Sequence, residues 1–173
     1  IIPSFNPPSN FDKLGRINFT GKFFGFFVDF AVDGKFNSTL GHGLMDMRMN
    51  LKGGRTKAEY SGGLTLINFD LGTWSDDKNF GNITFRSDVD EGVGLTLPTA
   101  DAKLSGRIDS LEFKGYNYKN VNMSGRLKQN LFNGDLRARD RNINLNFKGE
   151  IDFTDSIPIF DFFADINHLD LNR

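Results

Sequence analysis

Apolar and polar residues alternate along almost the whole chain. From Met45 to Lys52 the order is Met-Asp-Met-Arg-Met-Asn-Leu-Lys, four apolar positions interleaved with four polar ones. A period of two sends successive side chains to opposite faces of a β-strand, one greasy and one wet. The same rule sets Val28, Phe30 and Val32 against Asp29 and Asp33, and Ile83, Phe85 and Val89 against Thr84, Arg86 and Asp88. Val121, Met123 and Leu127 alternate with Asn122, Ser124 and Arg126. Ile143, Leu145, Phe147 and Ile151 alternate with Asn144, Asn146, Lys148 and Glu150, and Phe160, Phe162, Ala164 and Ile166 with Asp161, Asp165 and Asn167. No window shows a sustained 3.6-residue period, so no long helix is expected and the fold class is all-β.

Turn signals at Asp33-Gly34, Gly53-Gly54, Ser75-Asp76-Asp77, Asp90-Glu91-Gly92, Gly115-Tyr116-Asn117 and Asn133-Gly134 divide the alternating runs. Roughly a dozen strands, joined mostly by hairpins, are expected. Residues 1–10, with three of the five prolines, read as an irregular opening segment. Residues 11–173 read as one repetitive β unit.

A loose repeat runs through that unit: a glycine, a charged residue, then an aliphatic residue or Phe, as in Gly21-Lys22-Phe23, Gly106-Arg107-Ile108, Gly125-Arg126-Leu127 and Gly149-Glu150-Ile151. In Leu104-x-Gly106-x-Ile108 and Met123-x-Gly125-x-Leu127 the glycine falls on the apolar face between two large residues. Glycine inside a strand marks a bend, a bulge or a close approach. Gly106 and Gly125 are therefore expected to lie in a row along which the sheet bends.

Composition sharpens the picture. The 173 residues include 19 Phe and 19 Gly, against a usual Gly share of about 7%. A mean hydropathy of -0.38 alongside so much Phe means that very apolar and very polar positions are interleaved. Such a sheet must cover its greasy face with a second sheet, close into a barrel, or curl around something else, because no helix is expected to act as a lid. Phe, Met and Leu outnumber Val and Ile, and Met suits exchangeable contents. The residues expected to line a groove are Phe23, Val28, Phe30, Val32, Met45, Met47, Met49, Leu51, Leu64, Leu66, Ile83, Phe85, Leu104, Ile108, Val121, Met123, Leu127, Phe132, Leu136, Ile143, Leu145, Phe147, Phe160 and Phe162.

Charge and chemistry exclude more than they offer. Lys+Arg (21) and Asp+Glu (22) nearly cancel, which argues against nucleic-acid binding. The chain has no cysteine and two histidines, leaving little for thiolate, zinc or general-base chemistry. His42 and His168 read as surface or strand-end residues, and Asp76-Asp77 and Asp88-x-Asp90-Glu91 as solvated turns rather than calcium loops. Gly53-Gly54-Arg55 and Gly62-Gly63 lack the lysine and following helix of a phosphate loop. One tryptophan, Trp74, with scattered acids gives little support to a carbohydrate enzyme. No catalytic residue, metal or cofactor is expected. No apolar run spans a membrane as a helix, and Ile1-Ile2-Pro3-Ser4 has no charged n-region, so no signal peptide is expected in this stretch.

Phe11 to Phe23 (FDKLGRINFTGKF), Tyr116 to Leu127 (YNYKNVNMSGRL), Asn142 to Phe153 (NINLNFKGEIDF) and the following Pro158-Ile159-Phe160-Asp161-Phe162 resemble the TamB proteins of Bacteroidetes. The similarity runs from Phe11 to Arg173, and the order of the motifs is more specific than any one of them. The resemblance implies an internal segment of a longer protein that is anchored in the inner membrane and crosses the periplasm. The family it resembles belongs with the AsmA-like and bridge-like lipid-transfer proteins. The implied fold is an elongated antiparallel sheet curled into an open groove, a β-taco with a hydrophobic concave interior. The implied roles are phospholipid transport to the outer membrane and help in outer-membrane protein assembly, with phospholipid acyl chains as cargo. An Omp85-type (TamA-like) barrel is the implied partner, reached through regions outside this segment. The anchoring helix and C-terminal domain of that family are absent here, so neither role can be placed on a residue.

Asp109-Ser110-Leu111 and Asp155-Ser156-Ile157 resemble the O-glycosylation motif of that phylum, with Ser110 and Ser156 as acceptors. Asn18, Asn37, Asn82 and Asn122 open Asn-x-Ser/Thr triplets of the kind that alternation produces by chance. Competing readings are a segment of an outer-membrane β-barrel, with its apolar face toward lipid, and a structural β-sandwich scaffold. An open sheet has two unpaired edges, so the isolated segment is expected to self-associate edge to edge.

Overall fold

The structure is a computed structural model, and it describes residues 9–141, 143–155 and 159–169. Ten antiparallel strands form one open sheet in which sheet order equals sequence order. They are β1 (Asn18–Phe26), β2 (Asp29–Ser38), β3 (Gly41–Asn50), β4 (Glu59–Asp70), β5 (Phe80–Val93), β6 (Asp101–Phe113), β7 (Tyr116–Lys128), β8 (Leu131–Arg139), β9 (Ile143–Asp152) and β10 (Ile159–Leu169). A 3₁₀ helix (Ser9–Leu14) precedes β1, and one helical turn, α1 (Leu71–Ser75), joins β4 to β5. Nine spacings of about 4.8 Å make the sheet ~43 Å across, shorter than the ~53 Å of a dozen strands.

Some turn signals hold and others do not. Lys114-Gly115 (φ 49° and 77°) and Gln129-Asn130 (φ 48° and 70°) form two-residue hairpin turns in the left-handed region. Asp33-Gly34 and Asn133-Gly134 instead lie inside β2 and β8, and Asp90-Glu91-Gly92 is a register shift inside β5, with Glu91 at φ 53°. The reason is packing. Gly21 faces Gly34 across β1 and β2, and the Phe19 ring lies over the pair. Gly125, Gly134 and Gly149 face one another across β7, β8 and β9, and Phe132 lies over the first two. A methyl group on Gly134 would overlap the Ser124 carbonyl oxygen, 2.8 Å from the Gly125 Cα and 2.9 Å from the Phe132 ring. These glycines seat rings rather than turn the chain.

Gly106 and Gly125 do not share the row expected of them: Gly125 lies opposite Leu104 and Gly106 opposite Met123, and the glycine row runs instead through Gly125, Gly134 and Gly149. The bend expected there does not form. Rings recline into the notch that the glycines leave, and the sheet stays open and uncurled. Every substantial contact between strands joins consecutive ones. The accessible surface is 11577 Å², against roughly 8,500 Å² for a compact chain of 19.5 kDa. Nor is a hydrophobic concave interior shown among the described residues. Two open hollows, of about 1140 and 440 Å³, are lined mainly by polar-face positions such as Asp29, Arg48, Glu59 and Lys103 in one and Asp33, Lys35 and Asp46 in the other.

One corner does have cover, contrary to the expectation that no helix would serve as a lid. Leu14, Leu40, Phe69 and Ile83 form a small core, against which Leu66, Leu71, Trp74, Phe85, Ile108 and Leu111 pack. Trp74 meets Phe11 at 5.6 Å and Phe69 at 5.8 Å between ring centroids, edge to face in both cases. Helix α1 forms because Asp70 caps it, accepting hydrogen bonds from the Thr73 N–H (2.8 Å) and hydroxyl (2.7 Å). Lys13 closes its other end, donating to the carbonyls of Thr73 (3.1 Å) and Trp74 (3.2 Å) and ion-pairing with Asp76 at 2.5 Å.

Two predictions follow from this packing. Gly134→Val should lower stability by about 1–3 kcal/mol through overpacking, whereas Ser105→Thr on the exposed face should stay within about 0.5 kcal/mol; urea unfolding measures both. The Thr73 hydroxyl, and then its N–H, hold the Asp70 carboxyl below the usual carboxylate range. A lowered pKa stabilises the fold above the ordinary carboxylate value, and that contribution fades as pH falls through the lowered one. Asp70→Ala should therefore cost about 1 kcal/mol at pH 7, and its melting curve should converge on that of the unaltered chain in acid.

The candidate site is an apolar face carried across the sheet

Strand register decides which expected residues share a face. One row runs Phe23, Val32, Met47, Gly62, Val89, Leu104, Gly125, Gly134, Gly149 and Phe162 from β1 to β10. A neighbouring row carries Met45, Leu64, Gly106, Met123, Leu136 and Phe147, and others carry Phe30 with Met49, Leu127 with Phe132, and Leu66 with Phe85, Ile108, Val121 and Leu145. Ile83 joins the same face opposite Phe69 and Leu111, and Ile143 and Phe160 lie on it in β9 and β10. Val28 and Leu51 fall outside the strands, in the β1–β2 turn and just beyond β3, linked by the Leu51 N–H to the Val28 carbonyl at 2.7 Å.

Burial follows this parity. In β3, Met45, Met47 and Met49 are half-buried while Leu44, Asp46 and Arg48 are exposed. Val32, Ile83, Val121, Phe132 and Phe147 are buried, yet no large side chain is fully enclosed among the described residues. The shielding comes from neighbours in the sheet: Phe23 stacks on Phe30 at 5.0 Å and Phe147 on Phe162 at 4.8 Å. Leu66, Ile83, Phe85 and Ile108 are drawn into the corner core and are covered there. The other apolar positions form an open face.

Sequence reading missed several members. Phe19, Phe36 and Tyr60 lie on the same face, and the run Phe19-x-Gly21-x-Phe23 carried the signal. It also missed the exceptions. Phe24 and Phe163 sit on the polar face, opposite Ala31 and Lys148, and are 61% and 89% exposed. The doublets Phe23-Phe24 and Phe162-Phe163, which break alternation, mark them.

The polar face is held by cross-strand charge. Arg86 and Arg107 stand directly opposite each other, and Asp109 takes both, at 3.3 and 2.7 Å. A hydrogen bond from Arg126, 2.6 Å away, holds the Asp101 carboxyl below its usual range. On the apolar side, burial raises the Tyr60 phenol, which donates to the Gly94 carbonyl at 3.1 Å. The remaining candidates are engaged locally: Asp77 accepts from the Asn79 backbone at 2.9 Å, and His42 Nδ1 lies 2.6 Å from Asn37 Oδ1. Among the described residues no three His, Asp or Glu side chains converge on a metal-sized site. Ser110 is half-buried in mid-strand opposite Thr84 and Lys119. Ser156 and the side chain of His168 lie outside what the structure describes.

No helix among the described residues is long and apolar enough to cross a membrane. No protein-family model, no curated protein and no solved structure matches this chain.

Proposed function

We propose that the apolar face is a passive track for phospholipid acyl chains. In this reading the chain is a segment of a periplasm-crossing lipid conduit that also serves outer-membrane assembly beside a barrel partner, as the TamB resemblance implies. The observation that carries it is a face of Phe, Met, Leu and Val reaching from β1 to β10 and left open outside one corner. Each methylene removed from water contributes about 0.8 kcal/mol. Rings lying over glycines make the face low in relief, so a chain meets similar surface wherever it lies. Such a surface suits sliding rather than capture, and it asks for no catalytic group.

A barrel segment is the second reading, favoured by one observation: ten strands of 9–14 residues in a pure up-and-down meander. There too the apolar face meets lipid, but as bilayer surrounding a closed wall.

The test places a photo-crosslinking amino acid at Met47 and, separately, at Arg48 in the protein in cells, with adducts read by mass spectrometry. Phospholipid on 47 and not on 48 is expected. Adducts at neither position would leave a scaffold without lipid cargo, and adducts at both would overturn the face assignment. A companion pair checks transport itself. Met47→Asp, which sets a carboxylate against acyl chains, should lower lipid passage at least tenfold. Arg48→Asp should leave it within about twofold. If adducts form on 47 in cells and the protein leaves the membrane fraction only in detergent, the barrel reading gains.

A further inference from the structure

Two phenylalanines of β1 are stranded on the polar face. Phe24 lies opposite Ala31 and Phe26 opposite Asp29, and they are 61% and 79% exposed. Both line the larger of the two polar-face hollows, of about 1140 Å³. That hollow reaches from β1 to Lys103 in β6, five strand spacings or about 24 Å.

Its floor is low because side chains there are small. In the row Phe24, Ala31, Arg48 and Ser61, a ring and a guanidinium alternate with a methyl and a hydroxymethyl group. Residues 29–31, 48–50 and 59–61 line it as consecutive runs, so strand backbone forms part of the floor.

The charges around it have both signs. Arg48, Asp90 and Lys103 make no side-chain hydrogen bond or ion pair among the described residues, although Asp90 stands directly opposite Lys103. Glu59 accepts from Asn50 at 3.2 Å through Oε2. This mixture selects a class of ligand. A phosphate would meet Asp90 and Glu59, and a cation would meet Arg48 and Lys103, so half of the wall repels a simple ion of either sign. A hydroxyl group donates to a carboxylate and accepts from an ammonium or guanidinium, so it satisfies both halves.

The exposed rings add a second requirement. Their faces carry negative charge density and attract the weakly positive C–H bonds of a flat saturated ring. Hydroxyl groups around a ring with a C–H face describe a pyranose, and β-linkage keeps successive faces flat.

We propose that this hollow binds a neutral β-linked oligosaccharide, with Phe24 and Phe26 against its C–H faces and Arg48, Glu59, Asp90 and Lys103 at its hydroxyl groups. The site is on the face opposite the apolar rows and is independent of what those rows carry.

Isothermal titration calorimetry of the intact protein with cellohexaose and with hexa-N-acetylchitohexaose tests it. At least one should bind. Raising NaCl from about 50 to about 500 mM should change that affinity less than about twofold, since neither sugar is charged. Phe24→Ala should weaken binding about tenfold, and Lys103→Met about fivefold. Phe163→Ala removes a ring that is 89% exposed on the same face but outside the hollow, and should leave binding unchanged. All three positions are exposed, so circular dichroism should match that of the unaltered protein. Overturning results are no binding of either sugar, equal losses in Phe24→Ala and Phe163→Ala, or indifference to Lys103→Met. Binding that fades with salt would overturn it too, and would assign the hollow to a charged ligand such as a peptide.

Discussion

A sheet that is greasy on one side must hide that side, and this sheet has cover for only one corner of it. The rest of the structure follows from that shortage. Consecutive strands satisfy the backbone along the length of the sheet, while the apolar side chains obtain partial shelter from neighbours beside them rather than from a layer above. Phe23 on Phe30 and Phe147 on Phe162 are shelters of this kind. Because each strand leans mainly on the one before and the one after, stability resembles that of a repeat protein, a sum of nearest-neighbour terms. The corner built by Leu14, Leu40, Phe69 and Ile83 is the exception, since it ties the 3₁₀ helix to β4 and β5 across the sheet.

Glycine makes partial shelter possible. A ring needs somewhere to lie, and opposite pairs such as Gly21–Gly34 and Gly125–Gly134 leave a trough as wide as two strands. Phe19 and Phe132 fill those troughs edge to edge with the backbone. The same device removes relief from the face. A surface paved by reclining rings has few deep pockets in which a particular ligand could be preferred, which is why a passive role accords with the chemistry better than recognition does.

Which parts were legible in the sequence follows from the range of the forces involved. Alternation is local, so the all-β class, the faces and most of the apolar positions could be read directly; Met45 to Lys52 needed no more than its parity. Turns were harder, because a glycine after an Asp or Asn can serve a hairpin or a ring. Lys114-Gly115 turns, whereas Asp33-Gly34 does not, and only the partner strand distinguishes them. The corner core was out of reach, since Lys13 meets the carbonyl of Thr73 sixty positions away. Curl was out of reach for a related reason. The sheet stays uncurled even with register shifts at Tyr60/Gly62 and Leu66/Phe69, and each shift is set by two strands at once.

The open form has an energetic consequence for anything apolar that lies on the sheet. A sixteen-carbon chain wholly removed from water would gain ~13 kcal/mol at about 0.8 kcal/mol per methylene. Lying on one face it is covered from below only, and keeps roughly half of that. The difference separates a chain that remains from one that exchanges, because every ~1.4 kcal/mol is a factor of ten in an equilibrium. A cover over the apolar face would therefore govern how long an apolar chain stayed there more strongly than any residue on the face does. The glycine troughs are also where closing the open sheet would meet least resistance, since a strand can fold over a glycine more readily than over a methionine.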